Sequence, residues 1–147
     1  MIHFGRTDSR LVPLLLCVLC GCSKPTHPEK PPVIAASGQV LLAGKPLAGA
    51  TVTFLSLDGK VSSTGVTDDG GEFILSTYDQ NDGAPPGQYK VIVSVDDLEV
   101  SAEGKPVPKA NKRVGPPVPE KYSRPADSPL SAEITGTGPN RFRFPLN

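Results

Sequence analysis

Proline and glycine set the grain of this chain. Among 147 residues stand 17 Pro and 15 Gly. From residue 37 onward apolar residues nowhere recur at i, i+3, i+4 and i+7 over three turns, and prolines interrupt most stretches that could. Proline removes a helix donor and clashes with the preceding turn, so long helices are excluded and short alternating runs remain. The length suits one domain. Lys+Arg and Asp+Glu balance at 15 each, so the chain lacks the concentrated positive field that nucleic acid requires. His3 and His27 both precede the part expected to fold. That excludes a histidine-based metal or acid/base centre from the domain.

The first 22 residues, MIHFGRTDSRLVPLLLCVLCGC, read as an export segment. Arg6 and Arg10 make its start modestly basic, and residues 11–19 form an apolar run. Nine residues are signal-peptide length, far short of the roughly 20 that span a bilayer. A buried terminal element would not feed into residues 23–32 (SKPTHPEKPP), which carry four prolines. Leu19-Cys20-Gly21-Cys22 resembles the lipobox of bacterial lipoproteins, with an apolar residue, two small ones and an obligatory Cys. The resemblance implies cleavage after Gly21, diacylglyceryl and amino-terminal acyl chains (palmitate-type) on Cys22, and, from Ser23 at the next position, the outer membrane. The alternative is a plain secreted chain cleaved nearby. Cys17 and Cys20 leave with the signal and Cys22 is consumed by lipid, so the mature domain keeps no thiol and no disulfide.

Three parts follow: residues 1–21 as signal peptide, 22–36 as lipidated Cys and Pro-rich tether, and 37–147 as the folded unit. Strands are predicted at 38–42 (GQVLL), 49–57 (GATVTFLSL), 60–67, 72–77 (EFILST), 89–95 (YKVIVSV), 130–135 and 141–146 (RFRFPL). Turns are predicted at Gly44-Lys45-Pro46, Asp58-Gly59 and Asp68-Asp69-Gly70-Gly71. The strand at 49–57 carries apolar side chains on both faces, as an interior strand does. Seven short strands predict an all-β sandwich. Val52, Phe54, Phe73, Leu75, Tyr89, Val91, Val93, Ile134, Phe142 and Phe144 are its expected core. Residues 96–129 form a long Pro-rich insertion, of a length that is uncommon without function or disorder. At its end Lys121-Tyr122 is expected to dock back, the ring acting as a clasp.

Gly38-Gln39-Val40, the run from Lys45-Pro46-Leu47 to Phe54, Thr67-Asp68-Asp69-Gly70-Gly71-Glu72-Phe73 and Pro86-Gly87-Gln88-Tyr89-Lys90-Val91 together resemble the carboxypeptidase regulatory-like domain. This is a transthyretin-like, prealbumin-type family, and the likeness spans residues 38–95. It implies a seven-stranded Greek-key sandwich serving as an accessory or module, without catalytic residues. Pro119-Glu120-Lys121-Tyr122, Ser128-Pro129-Leu130 and the closing Phe142 and Phe144 further resemble small lipoproteins of planctomycetes. That likeness carries no biochemical activity with it.

Chemistry-bearing residues are few. Asp68, Asp69 and Glu72, with Asp79 and Asp82 nearby, offer oxygens of the kind Ca²⁺ takes, but their spacing departs from the calcium-loop pattern. They read first as turn carboxylates, and a glycosidase pair has still less support. Serines without a histidine partner give no nucleophilic hydrolase. Residues 58–103 carry a net charge of −8 and residues 105–147 one of +5. The plain interpretation is pairing within the domain. The sharper one makes Lys105, Lys109, Lys112, Arg113, Lys121 and Arg124 a basic arm for an acidic protein or cell-surface polymer. Glycan binding would call for exposed aromatic platforms, and the chain has no Trp and three Tyr. The sequence therefore predicts a non-catalytic lipoprotein without a cofactor, held to the membrane by its lipid. A glycan or small-ligand module, or an accessory to a partner hydrolase, is the alternative.

Overall fold

The computed structural model describes residues 30–96, 98–108 and 116–147. Cys22, the export segment, and Lys109, Lys112 and Arg113 lie outside the described residues. The chain runs through β1 (Ala36–Leu42), β2 (Lys45–Pro46), β3 (Thr51–Ser56), β4 (Ser62–Val66) and β5 (Glu72–Ile74). It continues with β6 (Gly87–Ser94), β7 (Leu98–Val100), β8 (Pro106–Pro108), β9 (Ser131–Ile134) and β10 (Asn140–Leu146). All seven predicted strands form, and β2, β7 and β8 are additions.

Two sheets pack face to face as a sandwich. One has β1 at its centre, with β10 parallel along its whole length and β2 and β5 antiparallel, end to end, on the other side. The second has the order β4-β3-β6-β9, all antiparallel. As predicted, β3 is interior. Its inward Val52 and Phe54 stand opposite Val93 and Val91 of β6, a pairing that stabilises through contact on one face. The sheets meet along one side, where Thr64 of β4 pairs with Ser76 beyond β5.

Phe54 is the centre of the core. Its ring lies 5.3–6.2 Å from those of Phe73, Tyr89, Phe142 and Phe144, within the range where aromatic pairs add to simple burial. Of the ten expected core residues, nine are buried and Phe142 is half-buried, packed against the others. Gly38 shows why a glycine stands within β1. A Cβ there would lie 2.6 Å from the Phe142 carbonyl oxygen and 2.7 Å from the tip of the Phe73 ring.

Several boundaries differ from the sequence expectation. The tight reversal is Ala43-Gly44, joining the paired Leu42 and Lys45, so Lys45 and Pro46 are strand, not turn. Both turn residues have positive φ, 50° and 77°, the geometry of a two-residue hairpin loop whose twist matches its strands. The folded unit also reaches into the expected tether: Ile34 bridges Ala84 and β1 begins at Ala36. Within residues 96–129, β7 and β8 form a hairpin and residues 120–122 a single 3-10 turn. The described part of this segment holds these elements, and Tyr122 buries its ring. Among the described residues no helix is long and apolar enough to cross a membrane.

Candidate functional site

The chemistry-bearing residues do not converge. Asp68 Oδ1 accepts the N–H groups of Gly70 and Glu72, both at 2.9 Å, which makes it the internal brace of its turn. Asp82 braces the next loop, accepting from the N–H of Thr77 at 2.7 Å and from those of Tyr78 and Asp79 at 2.9 Å. Burial alone would push the Asp82 carboxyl up, but these backbone donors hold it below the usual carboxylate value. Among the described residues no three His, Cys, Asp or Glu side chains are grouped to hold a metal ion.

The basic residues of the predicted arm are dispersed where they are described. Lys105 closes the exposed turn between β7 and β8, its N–H 3.3 Å from Ser101 Oγ. Lys121 lies within the 3-10 turn and Arg124 just beyond it. The Lys121 ammonium stands 4.8 Å from the centre of the Tyr122 ring, and Arg124 pairs with Glu120 at 2.6 Å and Asp127 at 3.8 Å. The Arg124 charge is thus answered locally. The tyrosines offer no platform either: Tyr89 and Tyr122 are buried and Tyr78 is half-buried beside the Lys30 ammonium.

Two tyrosines instead lock the frame. Tyr89 donates its hydroxyl to the Pro85 carbonyl at 2.7 Å, a tyrosine corner in which the ring ties a strand to the bend before it. Burial, then the nearby Tyr78 and Asp58, push its pKa up. Tyr122 is the clasp that the sequence predicts. Its ring is buried, and its hydroxyl lies 3.2 Å from the Asn147 nitrogen, accepting that N–H, and 3.4 Å from the Asn147 carbonyl, to which it donates.

That contact belongs to a pattern along the side of the sandwich opposite the Thr64–Ser76 bridge. There β9 and β10 are the outermost strands, each paired on one side alone among the described residues. The Ala43 N–H donates to the Leu146 carbonyl. The pleat then turns the backbone of Asn140, Phe142, Phe144 and Leu146 toward β1, and that of Arg141, Arg143 and Pro145 outward. Pro145 has no N–H to leave unpaired, the placement a strand proline needs. Beyond it, the outward groups of Asn147 are met by Tyr122. On β9 the Val91 N–H donates to the Leu130 carbonyl, so Ser131, Glu133 and Thr135 face outward. Thr135 is answered by the Asn140 side chain, whose Oδ1 accepts its N–H at 2.9 Å and whose amide donates to its carbonyl at 3.2 Å.

What stays uncovered on β10 is the outward backbone of Arg141 and Arg143. Both side chains are exposed on the outer face, and neither forms an ion pair among the described residues. They border a shallow depression of about 360 Å³ with Gln39, Glu72 and Ile74. Ile74 and Val66, 50% and 64% exposed, face a neighbouring groove of about 450 Å³. With Phe142 and Phe144 inward, the alternation of RFRFPL sets Arg141 and Arg143 outward, but it does not reveal their position at an open margin. Pro145 was the available signal, since a proline within a run argues for an outermost strand.

No protein-family model matches the chain, and no curated protein is similar to it. Two solved structures align with it in part. The major pilin subunit of Bacillus cereus aligns at a TM-score of 0.43 and 13% identity, over 79% of this chain and 30% of the pilin. A 9R-lipoxygenase from Cyanothece aligns at 0.37 and 18%, over 82% of this chain and 18% of the enzyme. The chain therefore spans less than a third of either protein.

Proposed function

We propose that this chain is a non-catalytic bacterial lipoprotein that displays a β-sandwich as a structural or protein-interaction module. Residues 1–21 direct export, Cys22 carries the lipid, and the domain stands outside the cytoplasm, at the outer membrane. The observation that carries this is Leu19-Cys20-Gly21-Cys22, set ahead of a Pro-rich spacer that ends where Ile34 pairs with Ala84. One acyl chain anchors marginally, whereas two or three hold firmly.

The likeness to the carboxypeptidase regulatory-like domain supports a role without catalysis. Its motif residues perform structural tasks in this chain. Asp68 braces a turn, Gly38 makes room for two rings, and Tyr89 locks the bend at Pro85.

The test is the intact mass of membrane-extracted protein made in a host with a lipoprotein pathway, beside a Cys22→Ala variant. Loss of residues 1–21 plus the mass of acyl chains is expected, with a variant that neither matures nor stays at the membrane. A soluble protein carrying a free Cys22 thiol would overturn the anchor.

A further inference from the structure

A sheet margin with unpaired backbone groups attracts another strand, and proteins normally cover or blunt it. This sandwich does so at several outward positions of the β9–β10 side, while Ser131 and Glu133 on β9 stay open among the described residues. Asn140 covers Thr135, Tyr122 covers Asn147, and Pro145 has no donor. Arg141 and Arg143 are the exception on β10: among the described residues nothing covers their outward N–H and C=O groups.

We infer that Arg141 and Arg143 form a docking site for an extended acidic segment of a partner protein, which adds a short strand to β10. This rests on the interaction-module interpretation and narrows it to one strand. Backbone pairing supplies attraction and alternate side chains supply selectivity, as in other strand-addition complexes. The two guanidinium groups project from alternate positions on the same outer face, and no described carboxylate pairs with either. A partner with acids at alternate positions would answer both, and arginine suits two-pronged carboxylate recognition. A second copy of this chain fits poorly, since antiparallel pairing of β10 with itself sets arginine against arginine. Pro145 and the Tyr122 clasp limit the added strand to the stretch about Arg141 and Arg143, which favours a brief, reversible contact over fibre growth.

The experiment uses the full chain in detergent, with amide hydrogen exchange followed residue by residue. The probe is the capped peptide Thr-Glu-Val-Glu-Val-Glu-Thr. Its controls are the lysine-for-glutamate version and an acidic version N-methylated at alternate amides. The acidic peptide is expected to slow exchange at Arg141 and Arg143 by about tenfold at saturation, as capture of an open margin does. Neither control should do so. The double variant R141E/R143E should exchange the preference, losing the acidic peptide and gaining the lysine one; the N-methylated control decides the question even if that variant folds poorly.

No slowing at Arg141 and Arg143, or equal slowing by the N-methylated peptide, would overturn the proposal. Slow exchange without peptide would also overturn it. If independent of protein concentration, the chain covers its own margin; if it grows with concentration, a second copy does. Slowing at Ser131 and Glu133 instead would reject β10 while leaving the interaction-module interpretation in place. The lipid anchor is judged separately, by the mass at Cys22.

Discussion

The hydroxyl of Tyr122 and the backbone of Asn147 form a reciprocal pair, with the oxygen 3.2 Å from the nitrogen and 3.4 Å from the carbonyl oxygen. One phenol therefore performs the task that a neighbouring strand would perform for the last residue beyond β10. Tyr122→Phe keeps the buried ring and removes both bonds. It should cost about 0.5–1.5 kcal/mol in urea unfolding and speed amide exchange at Asn147. Tyr122→Ala also empties the ring's place, and should cost about 3 kcal/mol or more. Equal losses in the two variants would show that packing contributes nothing beyond the hydroxyl.

Tyr89 gives the domain an alkaline limit. In the folded state its hydroxyl is bonded to Pro85 and its pKa lies above the ordinary value of 10.0. The unfolded chain then releases this proton at a lower pH than the folded one. Stability from this group is complete below pH 10 and falls as pH rises above it. Tyr89→Phe should lower stability at neutral pH by about 1–3 kcal/mol, since the Pro85 carbonyl loses a buried partner. It should also flatten the alkaline decline, measured by thermal unfolding between pH 8 and pH 11.

Asp82 sets an acid limit of the opposite sense. Its carboxyl lies below the ordinary value of 3.8 because the N–H groups of Thr77, Tyr78 and Asp79 outweigh the effect of burial. The folded state binds this proton less readily than the unfolded one, so the contribution is complete above about pH 4. It disappears as pH falls through the folded pKa. Asp82→Asn should lose stability at pH 7 and show a shallower dependence below pH 4. An acid limb as steep as that of the wild type would assign the effect to other carboxylates.

Ala43 occupies a backbone conformation that suits asparagine or glycine better, with φ at 50° beside Gly44 at 77°. A Cβ in this left-handed region costs on the order of 1 kcal/mol. Ala43→Asn, which keeps the hairpin geometry and tolerates positive φ, should raise stability by about 0.5–1 kcal/mol. Chemical denaturation would detect the shift, and a destabilised variant would refute this account of the turn.

The parts of the molecule that sequence made legible are those with strong periodicity. Alternation in YKVIVSV placed Tyr89, Val91 and Val93 inward in β6, and the two-faced apolar pattern of residues 49–57 marked β3 as interior. Asp68-Asp69-Gly70-Gly71 announced a turn through its own side chain-to-backbone bonds. The β7–β8 hairpin was not legible, because PVP resembles linker more than strand and proline is rare within paired strands. Nor could charge counting separate Arg124, held by Glu120 and Asp127, from Arg141 and Arg143, which have no such partners among the described residues. That distinction depends on which residues tertiary structure brings together, and composition does not carry it.

The parallel pairing of β1 with β10 has a consequence for how the chain reaches this state. Ala36 and Asn140 stand side by side although 103 residues separate them along the chain. Contacts between such distant segments carry a large closure entropy and slow folding relative to local pairing. During synthesis the central strand of the first sheet is among the earliest parts of the sandwich to emerge, and its full-length neighbour is the last. The first sheet therefore stays unfinished until β10 has been made, however early its central strand emerges.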